Sequence, residues 1–524
     1  MKQILSFLIF GIVALTLFSC DTGTSTMMPW SGTGAESDSV VPYTRHKLND
    51  TKTFYSQNMT NNSFYTLSAR LLHIGSYCTV WVQSTSSVTQ AQAKNVGSEY
   101  DDKIYSKMID AFGTRKTFKD PDTGANTSAR NTMQFADLLG DADGRLCILL
   151  LNIQDGANPL AGDAYVAGYF AAYNFFNSEP GYYLSNLSDM IYIDARTINT
   201  ANGLKEAYST LAHEMQHLMN FTTTVDLRFD GTNLNQTDTW IDEGLSSAAE
   251  YVYGGHLQNR VKHFNEDRLK SIGQGNNFFM WDNYSGDTVL DDYATVYLFF
   301  QWLRIQASPN RDIGFYKEIS QSAYPDYRAV LNAAKKINSG WDWGTVLGSW
   351  MAANYYNTSE SETGSNPLYT YKNDGILANV EQMYSLNTIV GNQAATAQWP
   401  LAPGEGVFTG RSGSSVPASS GNIRYLGLGG STPSTSGGGG ILLSYNIDTN
   451  LTGSDSNCRP FGNISTAPST DPATKTAAKI MTNQQTPAPA QPYAISAGEM
   501  LRRHGFNDET SNLPRRGRER VRGE

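Results

Sequence analysis

An α+β fold is expected for this chain of 524 residues, and three observations carry that expectation. Short apolar bursts bounded by Gly, Asn and Ser fill the stretch before residue 200, whereas apolar residues at helical spacing fill much of the stretch after it. Strands first and helices afterwards segregate the two kinds of element, which is the α+β pattern rather than the alternating one. With 40% hydrophobic, 11% aromatic and 17% charged residues, the chain is apolar enough to bury a large core.

The elements follow in order. Met1-Lys2-Gln3 opens with a positive charge, and the apolar run Ile4 to Phe18 falls short of the roughly 20 residues a spanning helix needs, so residues 1–19 read as a signal peptide. The run ends in Leu17-Phe18-Ser19-Cys20, which resembles the lipobox of bacterial lipoproteins. That resemblance implies cleavage before Cys20, acylation of Cys20, and a mature chain anchored by lipid at the bacterial cell envelope. Each buried acyl CH2 contributes about 0.8 kcal/mol, so several chains hold a protein at a membrane without a spanning helix. The alternative is a plain secretory signal with an incidental Cys. Residues 20–52 are rich in Thr, Ser and Gly without period and read as a flexible tether.

Between Phe54 and Gln83, bursts such as Phe64-Tyr65-Thr66-Leu67 and Thr79-Val80-Trp81-Val82 predict strands. Ile104, Met108, Ile109 and Phe112 predict a helix over Tyr100 to Phe112, closed by Gly113. Leu146 to Leu151 reads as a buried strand, with further short strands at Tyr165 to Phe170 and Met190 to Ile193. Helices are expected at Leu204 to Phe221, Ile241 to Tyr253, Tyr293 to Ile305, Tyr327 to Ile337 and Trp343 to Tyr355. Residues 53–386 thus form one expected domain, a β-rich lobe 53–200 followed by a helical lobe 201–386. Residues 387–500 are rich in Gly, Ser, Thr and Pro, with strand candidates at Ile423 to Leu428 and Ile441 to Ile447 that suggest a small β module. In the tail 501–524, seven Arg face four acidic residues.

Lys and Arg number 39 against 49 Asp and Glu, a formal charge of −10, which excludes a general electrostatic affinity for nucleic acid. Beyond Cys20 only Cys78, Cys147 and Cys458 remain, scattered and odd in number, so no disulfide framework is expected, although one bridge is possible. No CxxC or Cys/His cluster suggests a structural zinc ribbon.

The chemistry is concentrated in His213-Glu214-Met215-Gln216-His217, inside a predicted helix whose buried side carries Tyr208, Leu211, Met215, Leu218 and Met219. Two imidazoles at i and i+4 project from one face about a turn apart, close enough to share one ion with bonds of about 2.0–2.1 Å. Glu214 is turned about 100° from His213, where a carboxylate can take a proton from a metal-held water without ligating the metal. A catalytic zinc needs a third protein ligand and one open position. Trp240-Ile241-Asp242-Glu243-Gly244 opens the next helical segment, with Glu243 twenty-six residues past His217. Glu243 and Asp242 are both candidate third ligands, and as helical neighbours they point about 100° apart, so only one of them can face the metal.

An HExxH helix followed by a helix opening on Glu in this Trp-x-Asp-Glu-Gly context resembles the gluzincin clan of zinc metallopeptidases. The N-terminal strand order, the block Tyr100-Asp-Asp-Lys-Ile-Tyr105, the strand Val166-Ala-Gly-Tyr-Phe170 and the segment Trp350-Met-Ala-Ala-Asn354 are most similar to the hyicolysin family of secreted bacterial neutral metallopeptidases. The resemblance spans roughly Phe54 to Tyr356. It implies a two-lobed zincin-like fold, Zn2+ held by His213, His217 and Glu243, Glu214 as general base, and protein or peptide substrates. Glu250, seven residues beyond Glu243 and near the same helical face, is a candidate to orient a ligating His, or else a solvated charge. Tyr293 lies where the aminopeptidase branch keeps its catalytic Tyr, so the likeness implies an oxyanion donor there; Tyr297 is the fallback and reads more as core.

A surface-anchored zinc endopeptidase is therefore expected. The Gly-x-Met-Glu-Asn strand by which aminopeptidases recognise a free N-terminus does not occur, which disfavours the exopeptidase alternative. A different alternative is an envelope adhesin with a structural or vestigial zinc site. Substrate is expected along an edge strand, either Tyr165 to Phe170 or Met190 to Ile193. His256 and His263 follow the Glu243 helix and read chiefly as surface residues; His46, His73 and His504 belong to no constellation. Asp141-Ala-Asp-Gly144 lacks the downstream Glu of a calcium loop and reads as a turn.

Overall fold

A computed structural model describes residues 46–113, 145–161, 163, 165–175, 183–228, 235–267, 272, 278–279, 288–307, 312–357, 367–371, 374, 377, 401, 403–410, 415–428, 432–437, 440–450 and 520–521. The signal segment, Cys20, most of the tether, Asp141 to Gly144, Cys458, His504 and nearly all of the Arg-rich tail lie outside the described residues.

The architecture is mixed α+β, with an N-terminal sheet and a helical region after it. Six strands pair in the order β1 (Thr51–Gln57), β2 (Phe64–Ile74), β3 (Cys78–Gln83), β4 (Leu146–Leu151), β7 (Met190–Asp194) and β6 (Gly168–Phe170). The first strand begins at Thr51, two residues inside the expected tether. β1, β2 and β3 are antiparallel, with Thr51 opposite Arg70 and Gln57 opposite Phe64, and a register shift between Leu71 and His73. β3, β4 and β7 run parallel, and β6 turns back antiparallel on β7 with Tyr169 opposite Tyr192. Parallel strands are covered on both faces, which explains the unbroken apolar run of β4, every residue of which is buried. This order corrects one expectation: Met190 to Ile193 is flanked by β4 on one side and β6 on the other, so it presents no edge to a substrate. The terminal strand is β6. Just before it, β5 (Tyr165–Val166) pairs antiparallel with Arg520–Val521.

The helices are α1 (Gln90–Glu99), α2 (Tyr105–Phe112), α3 (Ala201–Arg228), α4 (Thr239–Gly254), α5 (Gln258–Asp267), α6 (Thr288–Ala307), α7 (Gly314–Ser320), α8 (Tyr327–Ile337) and α9 (Trp343–Tyr356). Tyr100–Ile104 is a π-helical turn joining α1 to α2, and Gly113 stops α2 at a φ of 102°. All the expected helices occur, most with ends extended by a few residues; α1, α5 and α7 were not expected. Helix α1 is closed at its start by a reciprocal Thr89–Gln92 capping box.

The core is continuous from the sheet through the helices. Trp240 packs against Phe279 with ring centroids 4.6 Å apart and meets Phe299, Phe300 and Trp343, anchoring the start of α4. A small antiparallel sheet, β8 (Gly406–Gly410), β10 (Ile441–Asn446) and β9 (Ile423–Gly427) in that order, includes both C-terminal strand candidates. It joins the same core through Leu443 and Tyr445, and Phe408 stacks on Tyr355 of α9. Cys78 lies opposite Leu146 and Cys147 opposite Thr79, so the two thiols point to opposite faces of the sheet and are not bridged to each other. Among the described residues, no helix is long and apolar enough to cross a membrane.

Candidate metal centre

Helix α3 packs its middle against β6 and β7 on one side and α4 on the other. Its approach to β6 depends on Gly168, where a Cβ would sit 2.8 Å from the Tyr192 carbonyl oxygen and 2.7 Å from Thr210. On the other side, Gly244 lets α4 close on α6, since a Cβ there would meet the Phe300 ring at 2.4 Å. Small residues at these two points bring three elements onto one buried centre.

That centre unites His213, His217 and Glu243. The Nε2 atoms of His213 and His217 are 3.1 Å apart, and each is 3.5 Å from Glu243 Oε2. Ligands at about 2.0–2.1 Å around a tetrahedral ion stand about 3.3 Å apart, so the triangle has the dimensions of three tetrahedral vertices. Both Glu243 oxygens are buried without a hydrogen-bond partner. A buried carboxylate without donors is costly, and a cation equidistant from the three groups compensates it. The residues present therefore fit a divalent metal.

The far nitrogens of both rings are engaged. His213 Nδ1 lies 3.0 Å from Glu250 Oε1, and Ser209 donates to the other oxygen of Glu250 at 2.8 Å. His217 Nδ1 lies 3.1 Å from Asp242 Oδ2, while Asn220 Nδ2 donates to Asp242 Oδ1 at 2.6 Å. Acceptors at Nδ1 select the tautomer protonated there and leave each Nε2 lone pair facing the centre. Ser246 Oγ also lies 3.1 Å from His217 Nδ1 and closes the pocket from α4.

Glu214 is buried beside this centre but outside the triangle. The backbone N–H of Phe170, on the terminal strand, donates to Glu214 Oε2 at 2.7 Å. Burial pushes the Glu214 carboxyl above the usual range, and the two imidazoles pull it back only in part. Glu243 goes the other way: burial opposes its charge, yet His217 and His213 hold it well below the usual carboxylate range. Burial alone would lower His217, but Asp242 and Glu243 outweigh it and push the imidazole up to about 9. The two glutamates thus have environments of opposite sense.

The sequence-predicted residues divide as follows. His213, His217, Glu243, Glu214 and Glu250 converge. Asp242 is next to the cluster yet turned to His217 Nδ1, so it backs an imidazole rather than joining the triangle. Tyr293 is buried at the start of α6 with the Arg260 guanidinium 4.4 Å above its ring. Burial opposes the charge of Glu250, but His213 and then Arg260 hold its carboxyl below the usual range, which links Tyr293 to the centre through one guanidinium. Tyr297 accepts from Leu257 N at 3.1 Å and meets His256 Nδ1 at 3.1 Å, a packing role. The His256 side chain is only 4% exposed and its Nε2 lies 2.9 Å from Asp374, which corrects its expected surface placement. Sequence reasoning missed Ser209, Asn220, Ser246 and the Phe170 amide. Helical arithmetic carried a signal for two of them, since Ser209 precedes His213 by four and Asn220 follows His217 by three.

The neutral metalloprotease ShpI of Staphylococcus hyicus is 32% identical to this chain over 297 residues, a span covering 55% of this chain and 59% of that protein. The chain thus spans about three-fifths of that relative's length. No family model matches the sequence. The similarity supports the likeness to hyicolysin-type metallopeptidases carried by the two helical motifs.

Proposed function

We propose that the chain is a zinc-dependent endopeptidase of two-lobed, zincin-like build, acting on proteins or peptides and anchored through lipid on Cys20 at the bacterial envelope. The observation that carries the reading is the buried His213–His217–Glu243 triangle with a separate, raised carboxyl, Glu214, pinned beside it by the Phe170 amide. The resemblance to a neutral metalloprotease supports the same class. The anchor rests on Leu17 to Cys20 alone.

His213, His217 and Glu243 would hold a zinc ion, which would supply Lewis acidity toward a scissile carbonyl and a water. Glu214 takes the proton of the attacking water and returns it to the leaving nitrogen, which its raised affinity for protons suits. Glu250 and Asp242 keep the two imidazoles in the tautomer that offers Nε2. The terminal strand β6 offers main-chain groups to an extended peptide and fixes Glu214 through the same backbone, so substrate and base share one reference frame. Tyr293 is the residue proposed to donate to the developing oxyanion, with Arg260 holding its ring.

The test compares purified protein with Glu214→Gln for zinc content and casein cleavage. The variant is expected to keep one zinc and lose about 10²–10⁴-fold in cleavage. Equal cleavage by both proteins contradicts the mechanism, and zinc binding without cleavage by either supports the adhesin instead.

A further inference from the structure

A second group of metal-ligating side chains lies outside the site just described. His263 and Asp267 stand at i and i+4 on α5, and Asp291 reaches them from the first turn of α6. His263 Nε2 is 2.7 Å from Asp291 Oδ1 and 3.4 Å from Asp267 Oδ2. Asp291 is 2% exposed, whereas the His263 and Asp267 side chains are 15% and 21% exposed. The design repeats that of the first centre: an i, i+4 pair on one helix, completed by a carboxylate from the next.

We propose that His263, Asp267 and Asp291 form a second, structural site for a divalent cation of the Mn2+ or Zn2+ class. One imidazole and two carboxylates make a mixed nitrogen and oxygen set, which suits such ions better than a soft ion that prefers thiolates. Nε2 offers a single position, filled either by a proton or by a metal bond. With the proton, 2.7 Å is a charge-assisted hydrogen bond to Asp291, and Asp267 at 3.4 Å is left outside its direct reach. With a cation in the proton's place, all three groups stand close enough to bond to it. Ligand atoms at about 2.0–2.2 Å from a metal stand about 3.0–3.4 Å apart, so the 2.7 Å pair opens by only a few tenths of an ångström. Partial exposure leaves room for water in the remaining positions, as a weaker, exchangeable site requires.

The consequence is local. The ion ties the end of α5 to the start of α6, one turn after Arg260 and two residues before Tyr293, and so braces the Arg260–Tyr293 stack. The inference stands apart from the peptidase reading, because neither centre shares a ligand with the other.

The test uses the full chain loaded with one equivalent of Zn2+. Electron paramagnetic resonance counts bound Mn2+ during titration, metal analysis counts Zn2+ at excess, and thermal unfolding is followed with each ion. One further ion per chain and a higher unfolding midpoint are expected. His263→Ala and Asp291→Asn should weaken that site at least about 100-fold, and Asp267→Asn at least about tenfold, with the first zinc retained. Glu243→Ala should lose the first zinc and keep the Mn2+ site, which separates failure of this inference from failure of the peptidase reading. Circular dichroism and the retained zinc report folding; should Asp291→Asn misfold, Asp267→Asn, at a partly exposed side chain, carries the comparison. No further Mn2+ or Zn2+ in the wild-type chain, or the same binding in His263→Ala and Asp267→Asn, overturns the proposal.

Discussion

The two His-carboxylate clusters use the same local grammar in different surroundings, and the difference is in what stands behind the ligands. At His213 and His217 each Nδ1 is backed by its own carboxylate, each carboxylate has a further donor, and Glu243 is fully buried. At His263 the two carboxylates share one nitrogen, and two of the three side chains touch solvent. A buried, backed cluster pre-orients its lone pairs and fits a tightly held ion in a catalytic centre. A half-exposed cluster fits an exchangeable ion that braces a helix pair. The chemistry is further divided by Glu214, which only the first centre has beside it.

The largest effect should come from breaking the first triangle. Glu243→Gln is expected to drop zinc content well below one per chain and to reduce casein cleavage by about 10³-fold or more, measured with metal analysis on the same sample. Retained zinc and cleavage would move the third ligand elsewhere. Next come the backing carboxylates: Asp242→Asn and Glu250→Gln should each weaken zinc by about 10–100-fold in a chelator competition, while leaving His213, His217 and Glu243 unchanged.

A third acidic group sharpens the contrast, because it balances its charge with a proton rather than an ion. Asp238, at the start of α4, is buried near Asp326, and burial followed by Asp326 pushes its carboxyl up to about 7, against the pull of Arg228 and Arg328. The folded chain therefore keeps this proton up to about pH 7, whereas the unfolded chain loses it near pH 4. Between those values the folded state binds more protons, so this contribution to stability falls as pH rises. Asp238→Asn should remove the dependence and be more stable than wild type by up to about 4 kcal/mol at pH 8 in urea unfolding, with little difference at pH 4. The smallest effect is expected for His263→Ala, which should retain the first zinc while abolishing the Mn2+ dependence of thermal unfolding.

Much of this molecule was legible because periodicity is a local signal. Leu146 to Leu151, Tyr327 to Ile337 and the His213 helix followed from apolar spacing alone. Helix α5 was not legible, since Gln258 to Asp267 buries only Arg260, Val261 and Phe264. Helix α1 has a readable start signal in Thr89-Gln90-Ala91-Gln92, which forms its capping box. The order of the strands was out of reach, because two short apolar strands look alike in sequence and only pairing makes Gly168–Phe170 terminal and Met190–Asp194 interior. The helical wheel sets Asp242 about 100° from Glu243, but an angle around α4 does not say where the His217 Nδ1 of α3 lies. Residues that back a ligand depend on the packing of two helices, and for that reason they emerge only from the fold.

The most direct test of a catalytic metal centre is a crystal of the purified protein measured at the zinc absorption edge. An anomalous peak is expected at about 2.0–2.2 Å from His213 Nε2, His217 Nε2 and one Glu243 oxygen, with Glu214 outside bonding distance. A zinc-loaded crystal with no peak there, or with the peak bonded to Asp242 or Glu214 in place of Glu243, would contradict it.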